Sequence, residues 1–193
     1  AHRPAMPEDL AKQIPPLHDA VRALGWPLLM VDGVEADDVI GTLTRQAEEA
    51  GMEAVVSTGD KDLAQLVTGR VRLINTMTNE VLDEAGVRAK FGVPPERIVD
   101  YLTLVGDAVD NVPGVEKVGP KRAVKWLNEF GALNDLIARS GEVKGAVGDN
   151  LRRALDWLPM GRKLITVKTD VALDVHPNDL GWKEEDREAL REL

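Results

Sequence analysis

The chain has 193 residues, 44% of them hydrophobic, enough to bury one substantial core and a smaller second one; no run approaches the roughly 18 apolar residues of a membrane span, and the first residues lack the apolar stretch of a secretory signal, so a soluble protein is expected. The absence of cysteine excludes a disulfide framework, a thiolate metal site and a thiol nucleophile, and any bound metal must be oxygen-ligated, hence Mg²⁺ or Mn²⁺. The net charge of -9 argues against a pure nucleic-acid-binding module, but it is uneven: residues 1–105 carry 10 basic and 17 acidic groups (-7), 106–170 carry 11 and 9 (+2), and 171–193 carry 3 and 7 (-4).

In chain order, apolar residues at Leu10, Ile14, Leu17, Val21 and Leu24 predict an amphipathic helix over 8–24, interrupted by Pro15-Pro16 and closed by Gly25. Leu28–Val31 reads as a short buried strand. The helical spacing of Val39, Ile40, Leu43, Ala47 and Ala50 predicts a helix over 36–50, stopped by Gly51, and Ala54–Ser57 reads as a second strand. Strand, helix and strand make one βαβ unit with parallel strands. Its first junction carries Glu35, Asp37 and Asp38, its second strand ends in Thr58-Gly59-Asp60-Lys61-Asp62, and residues 63–67 then look helical. Capping of helix starts accounts for one acid at each place. Ligands of open α/β sheets bind beyond the carboxyl ends of the strands, however, and five carboxylates at two successive strand ends suit a divalent cation.

Val71–Ile74 is a predicted third strand, with residues 75–81 turning back toward an edge pairing. Helices follow over 83–91, ending at Gly92, and over 96–105, with the change of domain placed near residue 93, at Pro94-Pro95. Asp107 and Asp110 stand three apart, which on a helical turn would aim both at one point. Immediately after them, a glycine-bounded turn containing Gly114, Val115, Lys117 and Gly119 enters a helix with Pro120 in its first turn and Lys121, Arg122 and Lys125 exposed. That arrangement can offer backbone N–H groups and cations to a DNA phosphate. Ala123, Trp126, Leu127 and Phe130 fall on the apolar stripe and are expected in the core rather than as stacking platforms. Leu133–Ile137 and Leu151–Leu158 read as short helices, Ile165–Val171 as β-like, and Trp182–Leu193 as a charged amphipathic end.

Residues 33–38 (Gly-Val-Glu-Ala-Asp-Asp), 57–62 (Ser-Thr-Gly-Asp-Lys-Asp), 74–79 (Ile-Asn-Thr-Met-Thr-Asn) and Gly106-Asp107 through Asp110-Asn111 together resemble the 5′-to-3′ exonuclease domains at the front of bacterial DNA polymerases I, within the flap endonuclease family. The resemblance runs from His2 to about Asp174. It implies an α/β fold with a mostly parallel sheet and flanking helices, PIN-like or resolvase-like and N-terminally truncated, over residues 1–93. An all-helical helix-hairpin-helix DNA-binding domain over 94–175 and a C-terminal amphipathic segment or linker over 176–193 would follow. It also implies that Glu35, Asp37, Asp38, Asp60, Asp62, Asp107 and Asp110 hold or position two divalent ions for phosphodiester hydrolysis. The hairpin region 111–127 would bind duplex backbone, with K⁺ at its turn, and Arg3 resembles an arginine of the family's arch helix. Implied partners are branched or 5′-flap duplex DNA and a C-terminal polymerase domain, for a monomeric, cytoplasmic and nucleoid-associated protein.

Three departures accompany the resemblance. The family begins with a further segment that includes metal-ligating acids and a basic arch, and none of it precedes Ala1. Lys117 stands where the hairpin usually has Gly, and Asp32 adds an acid that no family ligand accounts for. The chain as written is therefore expected to be a poor flap nuclease, and the competing reading is a catalytically incomplete module that docks on branched duplex. A phosphatase or other Mg²⁺ hydrolase would leave Lys121, Arg122 and Lys125 without a purpose.

Overall fold

The structure, a computed structural model, describes residues 6–193, which form two compact units: the described residues up to Glu35 together with Ala172–Leu193, and Ala36–Val171. Among the described residues no helix is long and apolar enough to cross a membrane.

In the smaller unit the amphipathic stretch is two helices, α1 (Glu8–Ala11) and α2 (Ile14–Ala23). The break falls at Lys12 and Gln13 and leaves both prolines in the first turn of α2, where a missing N–H costs no helical hydrogen bond. Gly25 follows at φ 80°, and a Cβ there would stand 2.0 Å from the Lys183 carbonyl oxygen. Only glycine lets the returning C-terminal segment pass this close, and the segment is fastened by Lys183 N–H to the Gly25 carbonyl (2.9 Å) and Asp186 N–H to that of Ala23 (2.7 Å). The charged end is helical only over Arg187–Glu192, with Asp186 accepting from the N–H groups of Glu188 and Ala189. Residues 28–31 are not a strand, contrary to the pattern. Apolar residues supply strand propensity, but a strand also needs a ladder, and among the described residues none pairs with this run.

The larger unit starts with α3 (Ala36–Glu49) and a sheet of three strands: β1 (Ala54–Ser57), β2 (Val71–Asn75) and β3 (Glu80–Leu82). β1 runs parallel to β2, with Val56 opposite Leu73, and β3 returns antiparallel, with Leu73 opposite Leu82. The crossover from β1 to β2 is a 3₁₀ turn, Asp62–Leu66, rather than a long helix. The antiparallel return of residues 75–81 matches the expected edge pairing. Then come α4 (Glu84–Phe91), started by the Asp83 carboxylate and ended by left-handed Gly92, and α5 (Ile98–Val105). A two-residue ladder, β4 (Gly106–Asp107) with β5 (Val112–Pro113), leads to α6 (Pro120–Phe130), α7 (Leu133–Ala138), α8 (Gly145–Ala154) and α9 (Leu158–Ile165).

One hydrophobic cluster joins the sheet residues Val56, Val71, Leu73 and Leu82 to Val87, Val93 and Ile98 and onward to Trp126, Leu136, Leu151 and Leu158. Burial of this kind contributes about 25 cal/mol per Å² of apolar surface, so sheet and helices stabilise each other across residue 93. Residues 166–171, expected to be β-like, instead lie as a strap along α3. Three of their N–H groups are satisfied by side chains: Val167 by Gln65 Oε1 (2.9 Å), Lys168 by Asp38 Oδ1 (2.8 Å) and Val171 by Thr42 Oγ1 (3.1 Å), while that of Thr166 bonds to the Arg162 carbonyl. The strap fits because Gly41 has no side chain; a Cβ there would lie 2.6 Å from Val167 Cγ1 and 2.7 Å from the Lys168 carbonyl oxygen.

Candidate active site

β1 ends at Ser57, and the chain turns through Thr58, whose Oγ1 accepts the N–H of Asp60 at 2.9 Å; Asp60 Oδ1 in turn accepts the N–H of Asp62 at 2.9 Å. These two local bonds explain the Thr-Gly-Asp-x-Asp spacing: each short polar side chain satisfies a backbone donor two residues on and holds the next carboxylate in place. Asp107 and Asp110 come from the β4–β5 hairpin, not from a helical turn as their spacing suggested. Asp107 Oδ1 accepts the N–H groups of Val109 (2.7 Å) and Asp110 (3.2 Å), so the side chain itself folds the turn, and Asn111 completes it at φ 53°.

Asp60, Asp62, Asp107 and Asp110 line one cleft of about 260 Å³ together with Gly59, Lys61 and Val109. Carboxylate oxygens of Asp62, Asp107 and Asp110 lie within 4.8 Å of one another, the one such grouping of three ligand-bearing side chains among the described residues. Burial, with Asp60 and Asp107 as like-charged neighbours, pushes the Asp62 carboxyl up to about 6. Its Oδ1 is buried without a hydrogen-bond partner. Burial also acts to raise Asp107, but the Lys61 ammonium and the two turn N–H groups outweigh it and hold this carboxyl below its ordinary value. An orphaned carboxylate oxygen beside two further acids is what a hard divalent cation fits, since oxygen ligands and negative charge are what it requires. Asp62, Asp107 and Asp110 are the residues that would hold it.

The acids of the first junction are placed differently. Glu35 is exposed just before α3 and belongs to the smaller unit, while Asp37 and Asp38 sit in the first turn of α3. Asp38 is engaged by Lys168 through its N–H and, at 3.8 Å, its Nζ, so in this state it fastens the strap. Neither acid joins the grouping in the cleft. Asp32 is exposed in a turn. Lys61 was missed as a site residue by the sequence reading, although a lysine flanked by two acids was a visible signal; its Nζ lies 2.5 Å from Asp107 Oδ2.

The basic hairpin follows directly on β5. Gly106 (φ 81°) and Gly114 pass back to back, and a Cβ on Gly114 would meet the Val105 carbonyl carbon at 2.4 Å and the Gly106 nitrogen at 2.5 Å. Val115 does not present a donor, a correction to its expected DNA contact: its side chain is buried, its N–H bonds to the Leu104 carbonyl and its carbonyl accepts from Val118. Lys117 takes the left-handed conformation at φ 62° where glycine would be at ease, and the turn is braced by Arg122 donating to the Lys117 carbonyl at 2.6 Å. Behind the turn, Asn150 Nδ2 donates to the Glu116 carbonyl at 2.7 Å, and Arg153 donates to Asn150 Oδ1. Gly119 precedes α6, Pro120 occupies its first turn, and Lys121, Arg122 and Lys125 are exposed on one side while Ala123, Trp126, Leu127 and Phe130 are buried on the other. Arg3 lies outside the described residues.

Two family models together match almost the whole chain: the N-terminal resolvase-like domain of 5′-3′ exonucleases over residues 1–92, and their C-terminal SAM fold over residues 93–188. The chain belongs to the 5′-3′ exonuclease family. Among this exonuclease family's curated members, DNA polymerase I of Pseudomonas aeruginosa is 50% identical over 198 residues, covering 98% of this chain and 22% of that protein. The 5′-3′ exonuclease of Aquifex aeolicus is 38% identical over 190 residues, covering 98% of this chain and 65% of that protein. The chain thus spans less than two thirds of the length of either. A complex of the bacteriophage T5 D15 flap endonuclease with DNA and metal ions shares the fold, with a TM-score of 0.74 at 21% identity over 86% of this chain and 64% of that one. This exonuclease-family fold is a resolvase-like α/β part followed by a helical one, as the resemblance implied.

Proposed function

We propose that the chain carries the 5′-3′ exonuclease and flap endonuclease activity of its family, hydrolysing DNA phosphodiesters at the cleft of Asp60, Asp62, Asp107 and Asp110. The observation that carries this reading is the buried, unpartnered oxygen of Asp62 within a grouping of three carboxylates. A bound Mg²⁺ or Mn²⁺ would polarise water and offset charge developing on the phosphate. Asp62, Asp107 and Asp110 would hold that ion, and Asp60 positions Asp62 by accepting the Asp62 N–H on its carboxylate. In the two-ion form of the mechanism, Asp37 and Asp38 would serve the second ion, which requires Asp38 to leave Lys168.

Lys121 and Lys125, with the turn at Gly114, Lys117 and Gly119, bind duplex backbone without reading bases. K⁺ at this turn is part of the same proposal, through carbonyl oxygens. The substrate is 5′-flap or frayed duplex DNA, a reading supported by the named activities of the Aquifex and T5 proteins.

Single-turnover cleavage of a 5′-labelled flap duplex with Mg²⁺ tests the proposal, alongside Asp62→Asn and Asp107→Asn variants. The expected result is metal-dependent release of short 5′ products that both substitutions abolish. Flap binding without cleavage in any divalent metal would instead assign a binding module.

A further inference from the structure

The cleft already contains a cation of its own. Lys61 stands between Asp60 and Asp62 in the chain, yet its ammonium ends on neither; Nζ lies 2.5 Å from Oδ2 of Asp107, across the cleft on the β4–β5 hairpin. The two partners are unequally exposed, at 43% for the Lys61 side chain and 4% for that of Asp107. The lysine thus reaches from solvent onto the most enclosed acid of the grouping. The other oxygen of Asp107 is committed to the N–H groups of Val109 and Asp110, so this carboxylate has both oxygens engaged, in contrast to Asp62 with its orphaned oxygen. A divalent ion coordinated by Asp62, Asp107 and Asp110 has to share Asp107 with an ammonium already in contact with it. At such a distance two positive charges repel appreciably even in a high dielectric.

We propose that Lys61 is a built-in counter-cation: it neutralises Asp107 while the cleft holds no metal and is displaced from Asp107 when a divalent cation binds. The proposal rests on the metal-site reading given above. Its exposed stem allows the ammonium to swing into solvent without disturbing the core, which the looser pair of Lys168 with Asp38, at 3.8 Å and on the strap, does not require. The consequence is a trade: Lys61 steadies the metal-free fold and, by the same contact, weakens metal binding.

Mn²⁺ titration followed by the electron paramagnetic resonance signal of the free ion measures the trade directly in the unaltered protein, Lys61→Gln and Lys61→Arg. Lys61→Gln should bind Mn²⁺ about tenfold more tightly, because the competing charge is gone, whereas Lys61→Arg keeps the charge and should stay close to the unaltered protein. Thermal denaturation supplies the second readout: Lys61→Gln should melt lower in chelator, and the difference should shrink in saturating Mn²⁺. Equal or weaker Mn²⁺ binding by Lys61→Gln overturns the counter-cation while leaving the metal site standing. Absence of Mn²⁺ binding in all three proteins overturns the metal site itself, and the counter-cation with it.

Discussion

The acid cleft and the basic hairpin adjoin in the chain, yet they are built on opposite principles. In the cleft, carboxylates converge from two loops into partial burial around a single lysine, so each depends on its neighbours: Asp62 is raised to about 6 and Asp107 is held low. On α6 the cations stand apart on an exposed face, and the geometry is carried by the backbone, with strain at Lys117 and braces from Arg122 and Asn150. A convergent site is sensitive to single substitutions, because removing one group changes the state of the rest. A dispersed site loses its contacts nearly one at a time. The difference suits an ion that needs several ligands at once on one side, and a polyanion gripped at many points on the other.

The sharpest way to break this contrast is at the cleft. Asp62→Asn with Asp107→Asn should reduce single-turnover flap cleavage at least about a hundredfold, as removal of ligands to a catalytic cation removes several kcal/mol of transition-state stabilisation. Duplex binding measured in the absence of divalent metal should remain nearly intact; a parallel loss of binding would mean that cleft and hairpin are not separable.

Gly114→Ala should strike both regions together. Its Cβ would press on backbone atoms of Val105 and Gly106, which cannot rotate away as a side chain would, and Gly106 leads directly into Asp107. The expected cost is about 3 kcal/mol of stability, seen as a lower urea midpoint with unchanged slope.

On the hairpin side, Lys121→Ala with Lys125→Ala should weaken binding similarly for unrelated duplex sequences and lower the salt slope of log K by about two. A sequence-selective loss would point to base readout instead.

Acidity separates the regions again. Asp62 has an ordinary value of 3.8 and is raised to about 6 in the fold, so between these the folded state binds more protons than the unfolded one. Stability of the metal-free protein should therefore fall as pH rises from about 4 to about 6, by about 1 kcal/mol once solvent screening of this half-buried group is allowed for. Asp107 has the opposite shift, whose stabilising contribution is lost only as pH falls below its ordinary value of 3.8, outside that window. Thermal denaturation in chelator from pH 4 to 7 should show the slope, and Asp62→Asn should flatten it.

The smallest effect expected is at the turn. Lys117→Gly relieves a left-handed residue at φ 62° and gives back part of the gain through the greater freedom of glycine in the unfolded chain, leaving a stabilisation of about 0.5 kcal/mol by denaturant melting.

Much of the larger unit was legible from local pattern. Helical spacing with Gly51 and Gly92 as stops located α3 and α4, and the apolar stripe of α6 placed Ala123, Trp126, Leu127 and Phe130 inside. The residue types of the site were equally legible, because carboxylates beyond a strand end are visible in one dimension. Failures came where long-range partners decide. Residues 28–31 have the composition of a strand and no ladder among the described residues, and Val167, Lys168 and Val171 spend their N–H groups on Gln65, Asp38 and Thr42 instead of on a sheet.

Sequence alone therefore determined which groups are available: acids in two clusters, a glycine-bounded turn and cations on one helix face. Tertiary structure alone decided the company each keeps. Packing brought Asp107 and Asp110 on a hairpin to Asp62 at a sheet end, more than forty residues earlier in the chain, while Asp38 was drawn to the strap and Lys61 across to Asp107. The reason is physical: periodicity reports the direction of a side chain relative to its own element. The charge a carboxylate bears and the cation it meets depend on burial and on neighbours that only the folded chain supplies.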